Sequence, residues 1–136
     1  MAVSERLRKI VAERAQGRCE YCGLSQAGQE ATFHVDHVIP VASGGKTETN
    51  NLALACVSCS LRKGAREWVE DPDSCEQVKI FNPRKDKWEE NFEWDGTKVY
   101  GLTPTGRATI SALALNREVI LAIRNEEASW DRHPPH

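Results

Sequence analysis

The stretch Phe33–Gly64, FHVDHVIPVASGGKTETNNLALACVSCSLRKG, decides how this chain is read. Two histidines and a carboxylate, His34, Asp36 and His37, fall within four residues, just ahead of Ile39-Pro40 and the glycine pair Gly44-Gly45. That is an odd composition for a core strand, because ionisable side chains are rarely buried without a partner. ATFHV predicts a short strand. IPVASGGKTETNN, with its proline, paired glycines and small polar residues, predicts a loop. LALAC predicts a second strand, and Ser58 or Ser60 can begin a helix through about Val69. The local order is therefore strand, loop, strand, helix.

Two cysteine pairs bracket this segment, Cys19-x-x-Cys22 and Cys56-x-x-Cys59, while Cys75 stands apart and is read as inert. Each C-x-x-C places two thiolates on one tight turn, and two such turns complete a closed tetrahedral zinc site. The alternatives are redox thiols or chance pairing. The 33 residues between Cys22 and Cys56 exceed a minimal zinc finger, so a folded insert must lie between the knuckles.

Outward from there, Ser4 can cap a helix running to about Gln16, with Leu7, Ile10, Val11 and Arg14/Ala15 on one stripe and Gly17 ending it. After EDPDSCEQ, VKIFNP is a short extended piece, and NFEWDGTKVYG predicts a hairpin turning at Asp95-Gly96. Thr103 or Thr105 can cap a helix over GRATISALALN, and REVILAIRNEEASW predicts a last helix. Trp68, Trp88 and Trp94 are assigned to the core or to cross-strand packing. DRHPPH predicts a frayed tail, with His133 and His136 as tail residues rather than ligands.

The 136 residues suffice for one domain, 1–136, and are few for two independent cores. Hydrophobic and charged fractions of 40% and 28% argue against disorder, and no apolar run reaches the length of a membrane span. MAVSERLRKIV has charges where a signal peptide needs its apolar segment, so a cytoplasmic location and reduced thiols are expected. A net charge of −2 gives no global pull on a polyanion. Positive charge is nevertheless concentrated in LRKGAR (Arg62, Lys63, Arg66) and NPRKDK (Arg84, Lys85, Lys87), either of which could be simply a solvated face.

A carboxylate and an imidazole side by side at a strand end could hold a hard divalent cation next to a proton acceptor, which is equipment for hydrolysing a phosphodiester. Histidine suits the acceptor's role because its ordinary pKa, about 6.5, leaves it neutral at physiological pH. A pair of structural histidines is the competing reading.

Taken together, these motifs resemble the HNH endonuclease family, whose core is the ββα-metal fold, often supported by two C-x-x-C zinc knuckles. The matching features are Asp36-His37 with Ile39-Pro40, Gly44-Gly45, Asn51-Leu52, and Cys56-x-x-Cys59 followed by Arg62, Lys63 and Gly64; with Cys19 and Cys22 they cover about residues 17–66. The segment from FNPRKDKW through GLTPTGRATISALALNR, within about residues 78–130, is similar to the C-terminal extension of a bacterial subgroup. The resemblance implies an α+β fold with a ββα-metal core and structural zinc, flanked by an N-terminal helix and a C-terminal hairpin plus helices.

In function it implies a metal-dependent DNA endonuclease. His37 would be the general base, Asp36 a ligand of catalytic Mg²⁺ or Mn²⁺, and Asn51 the asparagine that braces the long loop, unless it is a simple turn or helix cap. Cys19, Cys22, Cys56 and Cys59 would hold structural Zn²⁺. The third signature position, usually His or Asn and usually a second ligand, is Ser60 here, a poorer anchor. His34 could compensate, since it shares the period-two face of Asp36, or it could pack against the scaffold. Arg62, Lys63 and Arg66 would meet DNA phosphates without reading sequence, Lys63 closest to the scissile one. The alternative from another class is a catalytically weak zinc-stabilised module that binds nucleic acid or protein.

Overall fold

Helix α1 (Glu5–Arg14) starts where Ser4 Oγ accepts a hydrogen bond from the Leu7 N–H at 3.2 Å, and it ends before Gly17, whose φ of +68° reverses the chain. In the computed structural model residues 3–135 are described; His136 lies outside the described residues. The chain divides into two compact units: residues up to Glu67 with Asn82–Lys85, and Trp68–Phe81 with the chain from Asp86 onward.

In the first unit, β1 (His34–His37) pairs antiparallel with β2 (Leu52–Ala55), with His37 opposite Leu52 and Asp36 opposite Ala53. The strand starts three residues later than ATFHV suggests, so that the whole His-Val-Asp-His sequence is in register. Helix α2 (Val57–Lys63) begins at Cys56, whose sulfur accepts the Cys59 N–H at 3.4 Å, and stops at Gly64. It is therefore shorter and earlier than a serine cap predicts: the cysteine thiol acts as the cap, and Gly64, with φ +53°, ends the helix well before Val69. Two side chains fasten this unit. The Arg14 guanidinium donates to the Thr49 and Leu52 carbonyls at 2.8 and 2.6 Å. Glu20 accepts the Leu54 N–H at 2.8 Å, returns its own N–H to the Leu54 carbonyl at 2.8 Å, and forms an ion pair with Arg84.

In the second unit, β3 (Trp68–Glu70) pairs with β4 (Gln77–Lys79), followed by α3 (Trp88–Asn91), the hairpin β5 (Phe92–Asp95) and β6 (Lys98–Gly101), α4 (Pro104–Leu113) and α5 (Glu118–Ser129). The hairpin turns at Gly96-Thr97, one residue later than expected, and Thr103 caps α4 by accepting the Gly106 N–H at 3.0 Å. Gly106 allows close packing, because a Cβ there would lie 2.1 Å from the Asn91 carbonyl oxygen. Trp88 and Trp94 stack at 5.0 Å, whereas Trp68 is exposed on β3 and meets its cross-strand partner Lys79 by a cation–π contact. At His133 the tail is docked, not frayed: His133 donates from Nε2 to the Gly96 carbonyl at 2.8 Å and sets its ring edge against Trp94.

The described residues form an α+β fold, with short strand pairs and five helices. Among the described residues, no helix is long and apolar enough to cross a membrane.

The turn between β3 and β4 is built on buried Asp71, which accepts hydrogen bonds from Arg107, Ser74 and the Asp73 N–H. The Arg107 guanidinium foremost holds its carboxyl down at about 2. A carboxyl depressed in the folded state stabilises fully above its ordinary pKa of about 4 and stops doing so as pH falls through the folded value. Thermal melts between neutral pH and about pH 2 should show an acid loss of stability in this window that Asp71→Asn removes, at the expense of a lower Tm throughout.

Candidate active site

Each C-x-x-C pair forms a turn in which a later N–H points back at the first sulfur, Cys22 N to Cys19 Sγ at 3.5 Å and Cys59 N to Cys56 Sγ at 3.4 Å. The fold brings the two turns together. The four sulfurs lie within 4.8 Å of one another, all four residues are buried, and Cys22 Sγ is 3.7 Å from Cys56 Sγ. Sulfurs about 2.3 Å from a tetrahedral zinc stand about 3.8 Å apart, so the set suits structural zinc. The electrostatics of the thiols agree. Burial pushes Cys19 well up, while the three neighbouring thiols hold Cys56 well below the ordinary range, so metal-free they cannot all ionise together. A bound dication offsets that repulsion and supports four thiolates.

From this cluster, β1, β2 and α2 carry the remaining predicted residues. His34 Nδ1 lies 2.8 Å from Ser60 Oγ, so the serine at the divergent position and the histidine on β1 are in direct contact. Asp36 is half-buried on the same strand face as His34, opposite the small Ala53. His37 ends the strand, and its Nε2 lies 2.8 Å from Thr47 Oγ1. Among the described residues, the cysteines are the one group of three or more His, Cys, Asp or Glu side chains whose ligand atoms converge. His34, Asp36 and His37 do not form a second.

Asn51 is buried and spans the loop. Its Oδ1 accepts the Ile39 N–H at 2.9 Å, its Nδ2 donates to the Ile39 and Lys46 carbonyls at 3.0 and 2.9 Å, and its own carbonyl accepts the Val38 N–H at 2.8 Å. Gly45 lies under that brace, because a Cβ there would sit 1.8 Å from the Ile39 carbonyl oxygen and 2.8 Å from Asn51 Nδ2. The asparagine thus does more than cap a turn: it closes the two ends of the loop onto each other.

The basic residues separate. Arg62 and Arg66 are exposed, Arg62 in the last turn of α2 and Arg66 just beyond the helix. Lys63, read from the sequence as the cation nearest a scissile phosphate, is instead 1% exposed and donates from Nζ to the His37 carbonyl at 3.3 Å. Burial lowers its pKa, and Asp36 and Glu67 oppose that shift. Its position on α2 turns it into the protein, where it ties the helix to the end of β1. Arg84, from the second basic run, is occupied by Glu20. The sequence reading passed over Arg6, Arg8 and Lys9, which line an open groove of about 990 Å³ with Phe33, Val35 and Leu54. Charge counted along α1 alone could have flagged them.

The profile of the HNH endonuclease family matches residues 19–66, from the first knuckle to just past α2. That segment is similar to an HNH endonuclease domain. No curated protein and no solved structure matches the chain.

Two outcomes follow from this geometry. The purified full chain should carry one zinc, released by a thiol-reactive mercurial and absent after Cys59→Ser, with the circular dichroism of the first unit collapsing in parallel. Asn51→Ala, which strands the Ile39 N–H and two carbonyls, should cost about 2–3 kcal/mol in urea denaturation with zinc still bound.

Proposed function

We propose that this HNH domain is a metal-dependent endonuclease that hydrolyses phosphodiester bonds in DNA. The observation that carries the reading is the end of β1: Asp36 and His37 stand beside a loop that Asn51 closes from both sides, and His37 is held at its ring by Thr47 and at its carbonyl by Lys63. Fixed geometry at a carboxylate–imidazole pair is what a hydrolytic centre needs and what a solvated strand end does not. His37 takes a proton from water as the water oxygen bonds to phosphorus; the bond from phosphorus to the 3′ oxygen breaks, and that oxygen leaves with a proton from solvent.

Asp36, with His34 and Ser60 beside it, is where Mg²⁺ or Mn²⁺ would be held. Such a cation supplies charge stabilisation at the phosphate and the leaving oxygen. One carboxylate and a weak second donor suffice for a cation that keeps several waters and also binds the substrate phosphate. Arg62 and Arg66 give the DNA backbone contacts, in a salt-dependent and sequence-independent manner.

Ser60 favours a second reading, a zinc-stabilised nucleic-acid-binding or protein-interaction module with little catalysis, because a hydroxyl is a weaker ligand than an amide or imidazole. Plasmid nicking separates the two. With Mg²⁺ or Mn²⁺ the wild type should nick, EDTA should abolish it, and His37→Ala should lose about 10²- to 10⁴-fold. A folded, zinc-loaded wild type that binds plasmid without nicking it, with Ser60→Asn gaining activity, would establish the module.

A further inference from the structure

We propose that the groove beside α1 is a second DNA-backbone site, in which Arg6, Arg8 and Lys9 receive phosphates of duplex DNA on the side of the β1–β2 hairpin away from Asp36. That this DNA is also cut rests on the nuclease reading; the site itself is argued from charge and exposure.

Charge is divided unevenly along this chain. The first unit holds eleven Lys and Arg against seven Asp and Glu, and the second seven against thirteen. A polyanion is therefore drawn to the first unit although the chain as a whole is slightly acidic. Several cations there are already committed: Arg14, Arg18 and Lys63 donate to backbone carbonyls, and Arg84 pairs with Glu20. Arg6, Arg8 and Lys9 are not. All three are exposed, and among the described residues none of them enters an ion pair. They line one groove with a single acidic residue, Glu5.

The register of the hairpin says which face this is. Val35 and Leu54 are cross-strand partners, and both line the groove. Asp36 follows Val35 and points to the other face, the one that α2 reaches through the contact of Ser60 with His34. The cations of α1 thus supplement Arg62 and Arg66 rather than duplicate them.

Exposure decides between a DNA backbone and an acidic peptide. Phe33, Val35 and Leu54, the large apolar side chains of the groove, are only 4, 8 and 5% exposed. A peptide that docks by apolar anchors finds almost no area there to cover. A phosphate backbone needs only the unpaired cations, and such contacts hold DNA without reading its sequence.

The test uses the full chain, zinc-loaded and without Mg²⁺ or Mn²⁺, and a fluorescent duplex of about 30 base pairs whose binding is followed by anisotropy from low to high salt. Replacing all three cations, Arg6→Gln, Arg8→Gln and Lys9→Gln, keeps good helix formers on an exposed face. This variant should lower the slope of log affinity against log salt by about 2 to 3. Glu5→Gln should bind more tightly than the wild type, a gain that no folding defect imitates. In the wild type, the backbone amide resonances of Phe33 and Leu54 should shift as duplex is added. A triple variant with unchanged affinity and slope overturns the proposal, as does a Glu5→Gln protein that gains nothing. Groove resonances that move with polyglutamate but not with duplex overturn it in favour of an acidic peptide. A wild type that binds duplex through α1 but never nicks it upholds the site and overturns the nuclease reading. One that nicks, while the triple variant binds as well as it does, overturns the site alone.

Discussion

Four buried sulfurs are the constraint on which the first unit depends. They come from two turns separated by 33 residues, one following α1 and the other opening α2. Everything between them is short: two four-residue strands and three single helical turns, one before β1 and two in the loop. A two-stranded sheet of that size is marginal on its own. A metal held by thiolates from both ends would make the folding of the insert inseparable from metal binding, and would let a small core carry a buried lysine and a half-buried carboxylate close together. Because Cys56 also caps α2, the start of that helix, and with it the direction of Ser60 and Lys63, is fixed by the same site.

Within that frame, the loop from Val38 to Asn51 is anchored at its start by buried Val38 and Pro40, and beyond them it is held by polar bonds rather than by apolar packing. Val41 in its middle is exposed, and the glycine at 45 leaves no side chain to bury. One buried amide takes over, satisfying an N–H and two carbonyls that a loop of this kind would otherwise leave to solvent. A single asparagine can do this because its side chain has both a donor and an acceptor end, which neither aspartate nor leucine could reproduce. Polar bracing gives precise placement at low apolar cost, and precision is what a proton acceptor needs.

Much of the first unit was legible because its constraints are local in sequence. The knuckles, the glycine pair, Asn51 and the strand-loop-strand order are each written in residue type and spacing. What was not legible depends on rotation about an axis. Lys63 lies in a basic run and reads as a surface cation, but α2 begins at Cys56, not at a serine, and Lys63 turns inward. Thr47 has no motif of its own and matters only through a contact ten residues back in the chain. In the second unit the hairpin β3–β4 was missed because EDPDSCEQ reads as a break; buried Asp71 organises it by pairing with Arg107, a partner 36 residues away. His133 was misjudged for the same reason, since proximity to the terminus predicts fraying only when nothing receives the side chain.

The divergent Ser60 is best weighed with the residue that touches it. A metal site that lost an asparagine ligand and gained nothing would be weaker, but the serine hydroxyl here is engaged by His34 Nδ1. If Nδ1–H donates to the hydroxyl, Nε2 of His34 is left as a bare donor on the strand face of Asp36, the arrangement in which an imidazole ligates best. The serine would then orient a ligand rather than be one. Imidazole is a softer donor than an amide oxygen, so a cation held there, as proposed above, would be favoured as Mn²⁺ or a later transition metal over Mg²⁺. On the proposed nuclease reading, Ser60 would change which cation serves best rather than remove the place for one.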